Sequence, residues 1–349
     1  MFYRYEIRNN GKEDILYLYS TMNYEFSKEL DNNTENNLEK STENFIKNNS
    51  IDFNGNKIYL VVDGIIVKTL EIDKKDEKIT VKNNMYSNNL FTINLKDENN
   101  IITKIDLTTY LLGVIATNSI LDLELETLKA LTLLYRTYAF KEMKENNFIS
   151  TKDNFQSYNP IESFKSIWKN NYQYYYDRIK KAIEDTNGEF LTYEDEYILP
   201  FIHICSNTLT EASNKYEYVE KVTSLWDYAS PYYLEIKDYN YNDLEKIFNM
   251  KKKELKKITI LEVSKSNQIK RIKINDTEYT GEEFKSLLNL KSADINMIIN
   301  PTHIRFITKG WGNNMGLSQF GSNELAKQEL SYIKILNYYF PKVKIKRYI

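Results

Sequence analysis

The chain has 349 residues, enough for one large or two ordinary domains, and its 42% hydrophobic and 28% charged residues are the proportions of a folded protein. A formal net charge of -2 gives no global basic field to attract nucleic acid. One cysteine, Cys205, excludes an internal disulfide, and with two histidines in all the chain offers no material for a Cys/His zinc site, so no metal or cofactor is assigned.

The aromatic content is high, with 29 Tyr and 16 Phe against 10 Gly. A codon bias toward Asn, Lys, Ile and Tyr accounts for this, and so do tyrosines lining a sugar groove, where an apolar ring and a polar tip both help. Composition does not choose between them. The opening MFYRYEIRNNGKEDILYLYS has scattered charges and no apolar run of signal-peptide length. Nothing later reaches the roughly 18 apolar residues that span a bilayer. On sequence alone the expected location is therefore the cytoplasm, with no integral membrane segment.

Residues 1 to about 55 read as an accessory segment, strand-like at first and then polar from Asp31 to Ser50. Lys57 to Val62 and Ile65 to Leu70 form a predicted hairpin around Asp63-Gly64, a pair suited to a type I′ turn. Strands follow near Lys78–Val81 and Leu90–Leu95. From Glu124 to Met143, Leu125, Leu128, Leu131, Leu134, Tyr135 and Tyr138 recur at helical steps, with Asp122 as the expected N-cap. A second amphipathic helix is expected over about Ile161 to Asp185, with Phe164, Ile167, Tyr175, Ile179 and Ile183 on one side and Gly188 as its stop. Strands are expected at Phe190–Tyr193, Ile198–His203 and Ile304–Ile307, a hairpin at Ile258–Val263 and Gln268–Ile274, and a last helix around Tyr332 to Tyr339. The run Lys251, Lys252, Lys253, Lys256 and Lys257, interrupted by Glu254, reads as a solvated helix face. Strands and helices come in blocks, so the class is α+β, with strand-rich lobes around a central amphipathic helix.

Three stretches, in order, carry a family resemblance. Tyr110 to Phe140, YLLGVIATNSILDLELETLKALTLLYRTYAF, keeps Gly113, Val114, Ala116, Leu125, Glu126, Leu128, Lys129, Ala130 and Arg136-Thr137-Tyr138-Ala139 at fixed spacing. Ala182 to Ser213 keeps Thr186, Gly188, Leu191, Tyr193, His203, Thr210 and Glu211, with Trp226 and Pro231-Tyr232-Tyr233-Leu234 beyond. Lys309 to Lys327, KGWGNNMGLSQFGSNELAK, keeps Gly310, Gly312, Gly316, Ser318, Gln319 and Gly321. The chain thereby resembles the SpoIID/LytB family of peptidoglycan lytic transglycosylases and amidase enhancers over roughly residues 56–349. Within that span a helical and strand portion covers about 101–235 and a strand-rich portion about 236–349.

The resemblance implies cleavage of the β-1,4 bond between N-acetylmuramic acid and N-acetylglucosamine. One Glu would act first as acid on the leaving oxygen and then as base on the C6 hydroxyl. At that position this chain has Asn118, and an amide neither gives nor takes a proton near neutral pH. The family's loop histidine and the glycine after it correspond to Asn313 and Asn314. Where some relatives carry His-Cys before Gln-x-Tyr, here Asn154 and Phe155 precede Gln156 and Tyr158. Glu211 is the surviving acid within a matched stretch and the candidate substitute. Arg136, Tyr138, His203, Asn313, Ser318 and Gln319 are the implied substrate-binding positions. Arg136 reads equally as a structural arginine on loop carbonyls, His203 as a half-buried strand histidine, and Tyr138 as helix core. The implied partners are peptidoglycan glycan strands or a cell-wall protein, and the resemblance points to the cell envelope. Three readings stay open: a glycan-binding protein without turnover, an active enzyme using another acid, and a cytoplasmic interaction scaffold.

Overall fold

The computed structural model describes six strands between residues 15 and 94, and then residues 101–146, 149–150 and 156–347. The class is α+β, as the block pattern predicts. Two compact units are present. One contains the described parts of 1–118 and 138–183, and the other those of 119–137 and 184–347.

In the first unit, β1 (Ile15–Ser20) pairs antiparallel with β7 (Ile101–Asp106) and parallel with β8 (Ile149–Ser150). Strands β5 (Lys78–Lys82) and β6 (Leu90–Asn94) extend that sheet beyond β7. Strands β2 (Ser50–Asn54), β3 (Lys57–Val62) and β4 (Ile65–Glu71) form a separate antiparallel sheet. The predicted hairpin is present, with Val62 opposite Ile65. Its Asp63-Gly64 turn lies outside the described residues, as do Asp31 to Asn49, Asn154 and Phe155.

Helix α1 (Leu107–Asn118) was not foreseen, for a physical reason. Leu107 and Tyr110 through Ala116 are all buried, and a helix buried all round shows no apolar stripe. Its start is fixed by Asp106, whose carboxylate accepts from the Thr109 N–H at 2.8 Å and the Thr109 hydroxyl at 2.5 Å. Helix α2 (Leu125–Asn146) matches the predicted one. Asp122 sits three residues ahead in a left-handed conformation, φ 60°. The flanking position is Glu124, whose carbonyl accepts from Leu128 at 3.0 Å. The expected helix over 161–185 is interrupted. After a 3₁₀ turn, α3 (Phe164–Trp168) and α4 (Tyr172–Asp185) are separated at Lys169, φ 48°. The break shifts the apolar phase, so Trp168 is buried and Ile167 is 66% exposed.

In the second unit, β9 (Glu189–Tyr193) pairs with β10 (Glu196–Tyr197) and with β19 (Lys344–Arg347). Only β11 (Ile202–His203) forms from the expected strand over 198–203. Strand β12 (Leu234–Asn240) joins β17 (His303–Lys309) and β16 (Ile295–Ile299). Strands β13 (Ile258–Val263), β14 (Ile269–Ile274) and β15 (Thr277–Thr280) make another three-stranded sheet. Helices α5 (Tyr241–Phe248), α6 (Lys252–Leu255) and α7 (Gly281–Leu287) accompany these sheets, and a core through Leu244, Phe248, Ile272, Phe284, Ile304 and Phe306 joins them. Strand β18 (Leu317–Ser318), α8 (Gln319–Lys327) and α9 (Tyr332–Tyr339) complete it, α9 with its predicted bounds. Among the described residues no helix is long and apolar enough to cross a membrane.

Removing the cap of α1 should cost about 1 kcal/mol. Asp106→Ala is expected to lower the urea midpoint and to speed amide exchange first in residues 107–110. Unchanged exchange there would show that packing alone sets the helix start.

Candidate functional site

Asn118 ends α1, and residues 156–159 lie along one face of that helix. The Tyr110 hydroxyl donates to Gln156 Oε1 at 2.7 Å, and the Tyr110 and Tyr158 rings stack with centroids 5.9 Å apart. A Cβ on Gly113 would come within 2.4 Å of both the Asn159 carbonyl and the Tyr158 ring, so the close approach requires glycine. Thr117 Oγ1 accepts from the Asn159 N–H at 3.1 Å. Asn118 completes the row with both ends of its amide. Its Nδ2 donates to the Ser157 carbonyl at 2.6 Å and to the Val114 carbonyl at 2.7 Å. Its Oδ1 accepts from the Ser157 N–H at 3.2 Å. The side chain thus pairs with a peptide unit as a neighbouring strand would. A carboxylate could reproduce the acceptor but neither donor.

In the second unit, the second and third matched stretches run side by side. Ile202 pairs with Leu317 and His203 with Ser318 in parallel, and Glu211 bridges Met315. The loop 310–316 reaches this register through left-handed positions at Gly310, Gly312, Asn314 and Gly316. At Gly312, φ 129°, a Cβ would meet His203 Cβ at 2.5 Å. Asn314 keeps the left-handed φ of 63° that a glycine would supply, and asparagine is among the few other residues that tolerate it. Its amide is buried and fully employed: Oδ1 accepts from the Asn207 N–H at 3.2 Å, and Nδ2 donates to the Leu209 carbonyl at 2.8 Å. Asn313 is half-buried, and its Oδ1 accepts from the Met315 N–H at 3.0 Å. Glu211 accepts from the Ser264 hydroxyl at 2.6 Å and from the Ser266 hydroxyl, and its other oxygen meets Lys270 at 3.3 Å.

Behind this surface lies Asp227, fully buried. It accepts from the Ser206 N–H at 2.8 Å, the Ser206 hydroxyl at 2.5 Å and the Ser318 hydroxyl at 2.7 Å. Ser318 also caps α8 by accepting from the Gly321 N–H at 3.0 Å, so its hydroxyl is occupied in both roles. Gln319 and Asn323, one turn apart on α8, take the N–H groups of Ile120 at 2.8 Å and Glu124 at 2.6 Å. The Ser-Gln pair of the third stretch therefore fastens main chain. Arg136 is 1% exposed and donates to the carbonyls of Thr186 at 2.7 Å and Glu189 at 2.9 Å, which is the loop-carbonyl role. Tyr138 is buried in the first unit.

His203 is buried, and its Nδ1 lies 2.8 Å from the Met315 carbonyl. A carbonyl only accepts, so Nδ1 carries the proton and Nε2 is left a bare lone pair, with no partner among the described residues. Burial pushes its pKa below the ordinary 6.5, against opposing pulls from Asp227 and the Met315 carbonyl. Burial likewise pushes the Cys205 thiol up to about 12, so it offers no thiolate nucleophile near neutral pH.

The structure brings His203, Glu211, Asn313, Ser318 and Gln319 together in the second unit, while Asn118 and Tyr138 belong to the first. Asp227, Asn207 and Ser266 were missed from sequence. For Asp227 the available signal was an acid set among Leu225, Trp226, Tyr228 and Ala229.

Two expectations follow. Asn118→Asp preserves shape but turns an oxygen toward the Val114 and Ser157 carbonyls, and should cost about 1–3 kcal/mol in denaturant unfolding. Asn118→Glu meets the same two carbonyls. Faster amide exchange at Ser157 and Asn159 would localise the loss, and an unchanged midpoint would refute the clamp. For His203, the unfolded side chain binds a proton below pH 6.5 while the folded one resists. Its contribution is full above pH 6.5 and is lost as pH falls below that value toward the lower folded pKa. Urea midpoints across about pH 5–7.5 should show this acid-side slope, and His203→Gln should flatten it whatever its own stability.

The comparisons with known proteins point to one family. The family model SpoIID, described as stage II sporulation protein, matches residues 96–193, which hold the first matched stretch and the start of the second. Stage II sporulation protein D of Bacillus amyloliquefaciens is 28% identical over 264 residues, covering 72% of this chain and 77% of that one. Its counterpart from Bacillus subtilis is 28% identical over 263 residues, covering 71% and 76%. An uncharacterized protein of Brachyspira hyodysenteriae is 23% identical over 355 residues, covering 95% and 88%. With its three stretches in order, the chain is similar to the SpoIID family, and these matches support its membership.

Proposed function

We propose that this chain is a SpoIID-type protein of peptidoglycan metabolism that binds glycan strands with little or no lytic transglycosylase activity. The observation that carries the reading is the amide of Asn118, bonded to the Ser157 N–H and carbonyl. The reaction needs a group that gives and then takes a proton there, and general acid–base help is worth about 10²–10⁴ in rate. Asn118 can still hydrogen-bond a sugar, as can Asn313, and both are partly open to solvent, each in its own unit. Arg136, His203, Ser318 and Gln319 serve by bonding to main chain, and Tyr138 is buried in the helix core of its own unit. The names of the two Bacillus relatives favour a place in sporulation.

The competing reading is cleavage with Glu211 as the acid. In its favour, Glu211 lies in a matched stretch with its side chain 14% exposed. Against it, two serine hydroxyls and Lys270 already occupy the carboxylate. A third reading keeps the scaffold for protein contact alone.

The test is incubation with glycan strands, scored by mass spectrometry for 1,6-anhydro sugars and by co-sedimentation for binding. Binding without anhydro products above a buffer control is the expected outcome. Products that vanish in Glu211→Gln would establish the enzyme reading, and absence of glycan binding would favour the scaffold. Asn118→Glu is expected to fall well short of an active enzyme, since it introduces the acid while breaking the Ser157 pairing.

A further inference from the structure

The total charge of -2 conceals an uneven distribution. Between Lys251 and Lys273 there are nine lysines and arginines against two glutamates, a local net of +7. Three of the cations have carboxylate partners: Lys270 with Glu211 at 3.3 Å, Arg271 with Glu278 at 2.6 Å, and Lys273 with Asp276 at 4.0 Å. Lys251, Lys252, Lys253, Lys256, Lys257 and Lys265 are exposed and have none among the described residues. The one acid inside the run, Glu254, is spent on the Lys251 N–H at 2.7 Å. Lys252 and Lys256 sit over the Tyr241 ring, 4.6 and 5.6 Å from its centroid, which gathers their charge on one side of α6.

Aliphatic surface adjoins this charge. Strand β13 follows α6 and is the edge of its sheet. Ile260 is 42% exposed, Leu261 41% and Val263 53%. Leu261 is the extra residue of a bulge between the Ile260–Ile272 and Glu262–Arg271 pairs. Bulges protect an edge from strand pairing, and a second copy would bring the same +7 region against itself.

We propose that the α6–β13 edge docks on an anionic lipid surface. Unpaired lysines beside such a surface each strengthen attachment about fivefold. Exposed Ile, Leu and Val gain by entering the headgroup boundary. A soluble polyanion would use the lysines and gain nothing from the aliphatic side chains. The inference is independent of the glycan reading.

The test floats full-length protein with vesicles of phosphatidylcholine containing about 30% phosphatidylglycerol, or with phosphatidylcholine alone, at low and high salt. Binding is expected to the anionic vesicles only. Lys253→Glu with Lys257→Glu should weaken it about 25-fold or more. Leu261→Ser with Val263→Ser should weaken it several-fold, more visibly at high salt. Unchanged melting of these surface variants keeps the comparison valid. No binding to anionic vesicles, or equal binding to neutral ones, overturns the proposal. Equal binding by the Leu261→Ser/Val263→Ser variant, with free poly(glycerol phosphate) displacing the protein, would reassign the patch to soluble polyanions. A dimer dissolved by that variant, without vesicle binding, would reassign it to a second copy.

Discussion

The second unit is organised around a carboxyl group that never meets water. Asp227 is fully buried, and burying such a group is unfavourable unless its oxygens find donors. The donors come from Ser206 and Ser318, which lie far apart in sequence. Satisfying one buried acid therefore fixes the register between the 201–211 and 310–319 stretches. That register puts Glu211 beside Met315 and His203 against the loop 310–316. Because Ser318 simultaneously caps α8, the same contact sets where that helix starts. From there Gln319 and Asn323 reach the segment ahead of α2. A chain of polar fastenings thus runs from Asp227 to the start of the longest described helix.

Much of this was legible in the sequence, for identifiable reasons. The periodicity of α9 survives because one face of it lies on a core, with Ile335, Leu336 and Tyr339 buried, and β14 likewise buries Ile269, Ile272 and Ile274. Helix α1 left no such trace, since it is apolar on every side. The break at Lys169 was invisible because helical spacing carries across it, with Tyr172 four residues after Trp168, and only the backbone reversal moves burial from Ile167 to Trp168. The second and third matched stretches run side by side, but their spacing did not reveal what their residues bond to. Arg136 and Ser318 look like ligand-binding types in sequence, yet their partners are carbonyls, an N–H and a buried acid. Whether a polar side chain serves substrate or main chain depends on burial, and burial is a tertiary property.

Two asparagines, one in each unit, share a chemistry. Asn118 and Asn314 both place a primary amide against peptide groups, where it acts as donor and acceptor at once. Glutamate offers only acceptors when ionised, and a glycine side chain offers neither. At position 314 asparagine also keeps a backbone conformation that most residues resist. At both positions the amide therefore serves as a main-chain clamp that stiffens its own loop.

These clamps resist replacement. With the Asn314 amide bonded to the Asn207 N–H and to the Leu209 carbonyl, a glycine at this position would leave both groups without that partner. The glycine would also enlarge the freedom of the unfolded chain. Folded proteins hold a margin of only about 5–15 kcal/mol, so steps of this size are exposed to selection. Position 118 behaves alike, because a carboxylate there would surrender both donors. The two asparagines therefore act as pins, and the residues around them can vary more readily than they can.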